Sequence, residues 1–441
     1  QAGSSRQPWD APLLAPFSPC APPQFEDRSN MTSIYDAIGD ASELMEQVAV
    51  QVAKDNFDEA TKLADYAKKP SEAAAYRALA LIALERASRP GTEADAVAAA
   101  QEAGRRGGAA GEAAGKVFLA RAHALAKREA EALKAAEEAA AQFAGLAHQA
   151  GEASALCAVA KAYLLAGRNQ KGFEAANRAV GILKDLGDQR GEAMALQALL
   201  ETYMAMKKYS DAMQAAERIS EIFSGLGDAF GQAVGKMLSA EVNVANDCRQ
   251  EGVMDAQEAS KLFKKAGANY KMGLVNKLGA EAAIAELMYE EAKEMSERTL
   301  LCFKQAGDKY GQAAAMIVMA GFYSAEGAYD KATYRAEAAA EAYKKIGAVP
   351  EAAAAFRTCC KAFVDNKMFN PKGAGSAPRE AMRTATASLK LYESVGETES
   401  VGYAASTNML AQAHLAAGDV DAALDKASEA QALFKRLDYP V

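Results

Sequence analysis

The chain is poor in aromatic residues: Phe, Trp and Tyr make up 7% of its 441 residues, and Trp9 is the one tryptophan. Single hydrophobic cores stop growing near ~250–300 residues. A chain this long with so few large side chains therefore builds several domains or an elongated body. Cysteine is scarce, six in all with no paired spacing, which excludes a disulfide framework and points to a reducing, cytoplasmic compartment. No apolar run approaches the ~20 residues of a membrane helix. Three scattered histidines, without cysteine or carboxylate clusters, make no recognisable zinc site, and no cofactor or metal is expected. Basic residues are in deficit, 50 against 58 acidic, for a net charge of −8, which argues against a nucleic-acid partner. Apolar residues are plentiful at 50%, and much of that share is alanine, the best helix former.

Proline is concentrated at one end. Residues 1–30 hold six of the twelve: Pro8, Pro12, Pro16, Pro19, Pro22 and Pro23. Spaced prolines remove amide donors and fix φ, so this stretch reads as a Pro-rich disordered tail, with a polyproline-type ligand as the alternative. Met31 follows as a plausible native start, and 31–70 reads as a degenerate N-terminal capping hairpin.

From residue 71 the chain repeats. Gly187, Gly227, Gly267, Gly307 and Gly347 are each 40 residues apart, and Gly396 follows after 49. Gly111, Gly151, Gly191, Gly231 and Gly311 form a second column. Ala113, Ala153, Ala193, Ala233, Ala313 and Ala353 form a third. A bulky column runs Phe143, Leu183, Phe223, Phe263, Phe303, Tyr343, Tyr392 and Phe434. Each unit reads as two amphipathic helices, exemplified by Gln312–Ala325 and Asp330–Lys345, with Asp330 and Ser210 as expected N-caps of second helices. The first glycine of each unit falls where a helix needs a left-handed residue to stop. Small residues mark helix contacts: Ala120, Ala160, Ala240, Ala280, Ala320 and Ala411 share one slot, with Leu200 and Cys360 as exceptions. The repeats span 71–365, an inserted loop 366–377 accounts for the step of 49, and 378–437 completes the array.

Ala320, Tyr323, Gly327, Tyr329, Ala332 and Ala339 resemble the tetratricopeptide (TPR) pattern. The usual TPR period is about 34 residues. Connectors such as Leu186-Gly187-Asp188-Gln189-Arg190-Gly191-Glu192-Ala193 resemble instead the 40-residue subclass of Pins/LGN-type and kinesin-light-chain-type repeats. The resemblance implies an all-α, right-handed superhelical solenoid of stacked helix-turn-helix repeats. It also implies a non-enzymatic protein-binding scaffold or adaptor, taking a peptide or helix on the concave face lined by first helices. On that face it would present Arg77, Arg121, Lys161, Glu201, Glu241, Glu281, Arg357 and Lys361, with Met204, Val244 and Ile284 as apolar contacts. The three central glutamates would suit basic residues of a partner. The asparagine with which those families hold a peptide backbone is absent: Ala158, Ala198, Leu238 and Leu278 stand in its place. Partners of those families are therefore not carried over. A SNAP-like vesicle-fusion adaptor and a regulatory subunit of an enzyme are the alternatives.

Several features invite chemistry and fail. Gly111-Glu112-Ala113-Ala114-Gly115-Lys116 lacks the spacing, the Ser/Thr and the preceding strand of a phosphate loop. His123 and His414 occupy a slot held elsewhere by Tyr163, Tyr203 and Tyr323, so they read as packing residues. Cys359 and Cys360 are adjacent on one helix, where a disulfide is badly strained. No nucleophile–base set can be nominated, and the chain reads as a non-enzyme.

Overall fold

The computed structural model describes Val48, Gln51, Val52, residues 57–66, Ala80, 93–105, 108–371 and 375–439. The tail at 1–30 and Arg77 lie outside the described residues, as does most of the hairpin expected at 31–70. Eighteen α-helices and no strand occur among the described residues. They begin with α1 (Phe57–Tyr66) and α2 (Glu93–Arg105). Eight hairpins follow, each a first and a second helix. The N-terminal four are α3 (Gly108–Leu125) with α4 (Glu129–Gly145), α5 (Gln149–Leu165) with α6 (Asn169–Asp185), α7 (Gln189–Ala205) with α8 (Tyr209–Gly225), and α9 (Ala229–Ala245) with α10 (Arg249–Ala266). The C-terminal four are α11 (Asn269–Ala285) with α12 (Tyr289–Gln305), α13 (Lys309–Ala325) with α14 (Tyr329–Lys345), α15 (Val349–Phe369) with α16 (Ala377–Ser394), and α17 (Val401–Ala417) with α18 (Val420–Arg436).

From α2 onward each helix packs on its neighbours in sequence. Every other substantial helix–helix contact joins the first helices of neighbouring hairpins. First helices therefore form the inner, tighter layer of a solenoid and second helices the outer one. Burial agrees. The α7 helix is buried around its circumference from Gly191 to Met204, whereas α8 buries one stripe, Ala212, Ala215, Ala216, Ile219, Ile222 and Phe223. The inner layer is not uniform: α7 and α9 approach each other less closely than other neighbouring first helices do. It is α7 that carries fully buried Leu200 in the slot usually held by alanine.

The glycine columns have distinct causes. Gly187, Gly227, Gly267, Gly307 and Gly347 have φ of 67 to 75°, the left-handed region expected of them. They close the second helix with bonds such as Asp188 N–H donating to the Leu183 carbonyl at 3.0 Å. The second column answers to packing. A Cβ on Gly231 would stand 2.2 Å from the Phe223 ring, and one on Gly311 2.5 Å from Phe303. At these seams, and at Gly151 beside Phe143, a ring of the second helix thus sits on the bare first turn of the next first helix, whereas Lys271 and Glu351 hold the position after Phe263 and Tyr343. The alanine slots behave likewise: Ala160, Ala240, Ala280 and Ala320 have no exposed surface.

Three local expectations change. The second helices begin one residue before the expected caps, at Tyr209 and Tyr329. Lys208 and Ala328 are the cap residues and make no side-chain bond. Ser210 and Asp330 lie inside the first turn, where the Asp330 charge complements the helix dipole. Side-chain capping falls mostly on first helices, through Asp188, Asp228 and His148, whose Nδ1 accepts from Gly151 N–H at 2.9 Å, and on one second helix, α18, through Asp419. The insertion at 366–377 is helical as far as Phe369, whose ring stacks on Tyr329 with centroids 6.5 Å apart.

At the hairpin tips the left-handed position is glycine in only some units. Gly167, Gly327 and Gly418 hold it in three, while Lys127, Lys207, Asp247 and Leu287 hold it with φ of 56 to 65°. A non-glycine residue there costs roughly 1–2 kcal/mol, and leucine has no side-chain bond to offset it. Leu287 is 54% exposed, so little packing is lost with its side chain. Leu287→Gly is expected to raise the unfolding midpoint by about 0.5–1 kcal/mol equivalent, and Gly327→Leu to lower it at least as much. Gly231→Ala is expected to cost ~1–3 kcal/mol, because the buried Phe223 ring must move aside. Chemical denaturation of the three variants measures all of these shifts.

Candidate functional site

The inner layer is the surface on which first-helix side chains converge, and the residues expected there behave in three ways. In the N-terminal half they are covered. Arg121 is 8% exposed, and the Glu201 side chain 6%. Lys161 Nζ stands 3.9 Å from the Glu201 carboxylate, so the acid expected to meet a partner is matched within the chain. Glu241 is half-buried. Of the apolar contacts, Met204 and Ile284 are buried and Val244 is partly exposed.

Further along, the same slot opens. Glu281 and Lys361 each keep 46% of their side-chain surface. Glu281 pairs with Lys277 at 2.8 Å, and Lys361 with Asp365 at 3.2 Å, each one turn away on its own helix. Exposed pairs of this kind stabilise a helix by only about 0.3–0.5 kcal/mol, so their charges are readily exchanged for those of a ligand.

Arg357 does something different. Its guanidinium donates to the Tyr392 hydroxyl at 3.3 Å, the Gly402 carbonyl at 3.4 Å and Ser406 Oγ at 3.2 Å. It ties α15 to α16 and α17. Ser388 extends the tie, with its Oγ 2.7 Å from Ser406 Oγ and donating to the Ala353 carbonyl at 2.8 Å. Spacing alone put Arg357 in the groove slot; the serines on the neighbouring helices were the signal of its internal partners.

Three cysteines are held inert by burial. Desolvation pushes the Cys359 and Cys360 thiols up to about 12 and Cys302 up to about 11, so no thiolate forms near neutrality. Among the described residues no group of His, Cys, Asp and Glu is placed to hold a metal ion, and no helix is long and apolar enough to cross a membrane. His123 is 9% exposed, and burial lowers its pKa below the ordinary value.

Against known proteins, no family model matches the chain, and no curated protein matches it. Solved structures do. One is the STAND signal-transduction ATPase with a tetratricopeptide repeat sensor from Pyrococcus horikoshii. It is 15% identical, with TM-score 0.55 over 82% of this chain and 53% of that one. Another is a Rap protein complexed with Competence and Sporulation Factor, 12% identical, with TM-score 0.50 over 80% of this chain and 99% of that one. The chain spans about half the length of the STAND protein. At these identities the likeness is one of fold. The chain has a TPR-like fold, an all-α solenoid of stacked helical hairpins.

The histidine gives a pH test. With its folded pKa below about 6.5, His123 is neutral in the fold while the unfolded chain takes up a proton as pH falls through that value. Its contribution is complete above that pH and is lost progressively below it. His123→Tyr, which installs the residue of the neighbouring repeats, is expected to flatten the loss of stability between pH 7.5 and pH 5.5, read by urea denaturation at both pH values.

Proposed function

We propose that the protein is a non-enzymatic interaction scaffold that takes an extended peptide or a helix along the open half of its inner layer, around Glu281 and Lys361. The observation that carries this reading is the change in exposure along one structural slot, from 6% at Glu201 to 46% at Glu281 and Lys361. A charged row that is matched and covered at one end, and exposed in weak local pairs at the other, offers a ligand interchangeable charges of both signs. Exposed Asn408 and partly exposed Ile317 occupy the neighbouring slot and add a polar and an apolar contact. A peptide of alternating charge with an apolar anchor suits this surface better than one with basic residues set opposite all three central glutamates, as expected from sequence.

Neighbours in fold support a binding role: one is described as a repeat sensor, and another is complexed with a named factor. The inert thiols support a non-catalytic reading, and the acidic balance argues against nucleic acid. The five cysteines among the described residues are all free, which supports a reducing, cytoplasmic setting.

Peptide display against the purified protein tests the groove. Selected peptides are expected to bind the wild type and to lose about tenfold or more of their affinity on Glu281→Lys and on Lys361→Glu. Thermal midpoints of the two variants should stay near that of the wild type. A selection that enriches nothing, or peptides indifferent to both reversals, would end the groove reading.

A further inference from the structure

The hairpin tips change character along the array. The left-handed position is Lys207 between α7 and α8 but Leu287 between α11 and α12, and the residue after it changes from Lys208 to Met288. Leu287 is 54% exposed and Tyr289 39%. A leucine held at φ 58° with half its surface in water is strained, and packing offsets little of that strain. The Tyr289 hydroxyl donates to the Ala325 carbonyl at 3.2 Å, which joins this tip to the one between α13 and α14. There Tyr329 stacks on Phe369, at the end of α15, and Phe369 remains 58% exposed beside Met368 at 57%. Leu287, Tyr289, Tyr329, Phe369 and Met368 thus form one apolar strip along the edge of three successive hairpins. Single apolar side chains on a surface are ordinary, whereas a continuous strip marks a contact surface.

We propose that this strip seats an amphipathic helix of a partner protein, one whose apolar stripe is bordered by lysine and arginine. Charge selects the occupant. Glu290, Glu291, Glu326 and Asp330 stand at these tips, and none of them is in an ion pair among the described residues. The cations nearby are mostly engaged. Arg249 meets Glu286 at 3.3 Å, Lys331 stands over the Tyr323 ring at 5.3 Å, and Lys367 donates to the Pro371 carbonyl at 3.3 Å. Lys361 is held by Asp365, and exposed Lys293 and Arg379 lie further into α12 and α16. An acidic rim around an apolar strip attracts a cationic helix and repels an anionic lipid surface. A helix also offers apolar anchors one turn apart on a single face, which suits a strip carried by several tips. The strip follows the tip edge rather than the inner layer, and the inference stands apart from the groove reading.

Fluorescence anisotropy of the full chain with two labelled peptides tests it. One is a helical peptide of leucine and lysine, about 18 residues long with leucine on one face, and its twin carries glutamate for lysine. The lysine peptide is expected to bind about tenfold or more tightly than its twin. Leu287→Asn, which keeps a residue tolerant of left-handed backbone, and Phe369→Ser should each weaken it by about tenfold, with helical circular dichroism unchanged and no fall in thermal midpoint. Glu290→Lys combined with Glu326→Lys should reverse the preference between the twins. Glu281→Lys and Lys361→Glu, which disable the groove, should leave the dependence on Leu287 and Phe369 in place. Equal affinity for both peptides, or binding indifferent to both Leu287→Asn and Phe369→Ser, would overturn the proposal. Binding of the wild type to phosphatidylglycerol vesicles that the same two substitutions remove would overturn it in favour of a membrane.

Discussion

At several seams a large ring seated on a glycine sets the spacing from one hairpin to the next. Phe223 against Gly231 and Phe303 against Gly311 leave no room for a Cβ, so at these seams the close approach of the second helix needs a turn without a side chain. Tyr392 and Gly402 repeat the arrangement past the insertion, with a Cβ on Gly402 standing 2.1 Å from the tyrosine hydroxyl. The same register survives a step of 49 residues because the additional chain is accommodated at the hairpin tip, away from the seam. Each hairpin buries its apolar stripe only through its neighbours, so stability passes along the array through these seams.

That constraint explains what was legible in the amino-acid order. A contact repeated in many units favours the same residue type at the same interval, and the glycine, alanine and bulky columns appear as such. Left-handed φ at Gly187 through Gly347 was equally readable, because helix termination there has one inexpensive solution. Caps were less so. Ser210 and Asp330 have the right chemistry, but the turn that closes the first helix fixes where the second begins, and it places Lys208 and Ala328 at the cap. Backbone closure overrides side-chain preference when the two differ by a residue.

Burial on the inner layer was the least legible property. Glu201 and Glu281 are the same residue type in the same slot of their repeats, yet one is covered beside Lys161 and the other is open. Their difference comes from the neighbouring helices: Lys161 of the preceding first helix stands beside Glu201, whereas Glu281 pairs with Lys277 of its own helix, and no local motif records which will happen. Arg357 shows the same thing from the other side. Its slot names a groove residue, while Ser406 and Tyr392, 49 and 35 residues away in sequence, engage it internally.

The two kinds of charge on this surface are suited to opposite tasks. A covered pair such as Lys161 and Glu201 is costly to break, since removing one partner leaves a desolvated charge behind, so it favours one arrangement of neighbouring first helices. An exposed pair one helical turn apart, such as Lys277 with Glu281, contributes little to stability and constrains nothing beyond its own helix. Recognition is cheapest where charges are already in water-exposed pairs, because a ligand replaces one modest interaction with another. The rigid end of the row therefore suits holding the curvature of the layer, and the open end suits exchange with a partner.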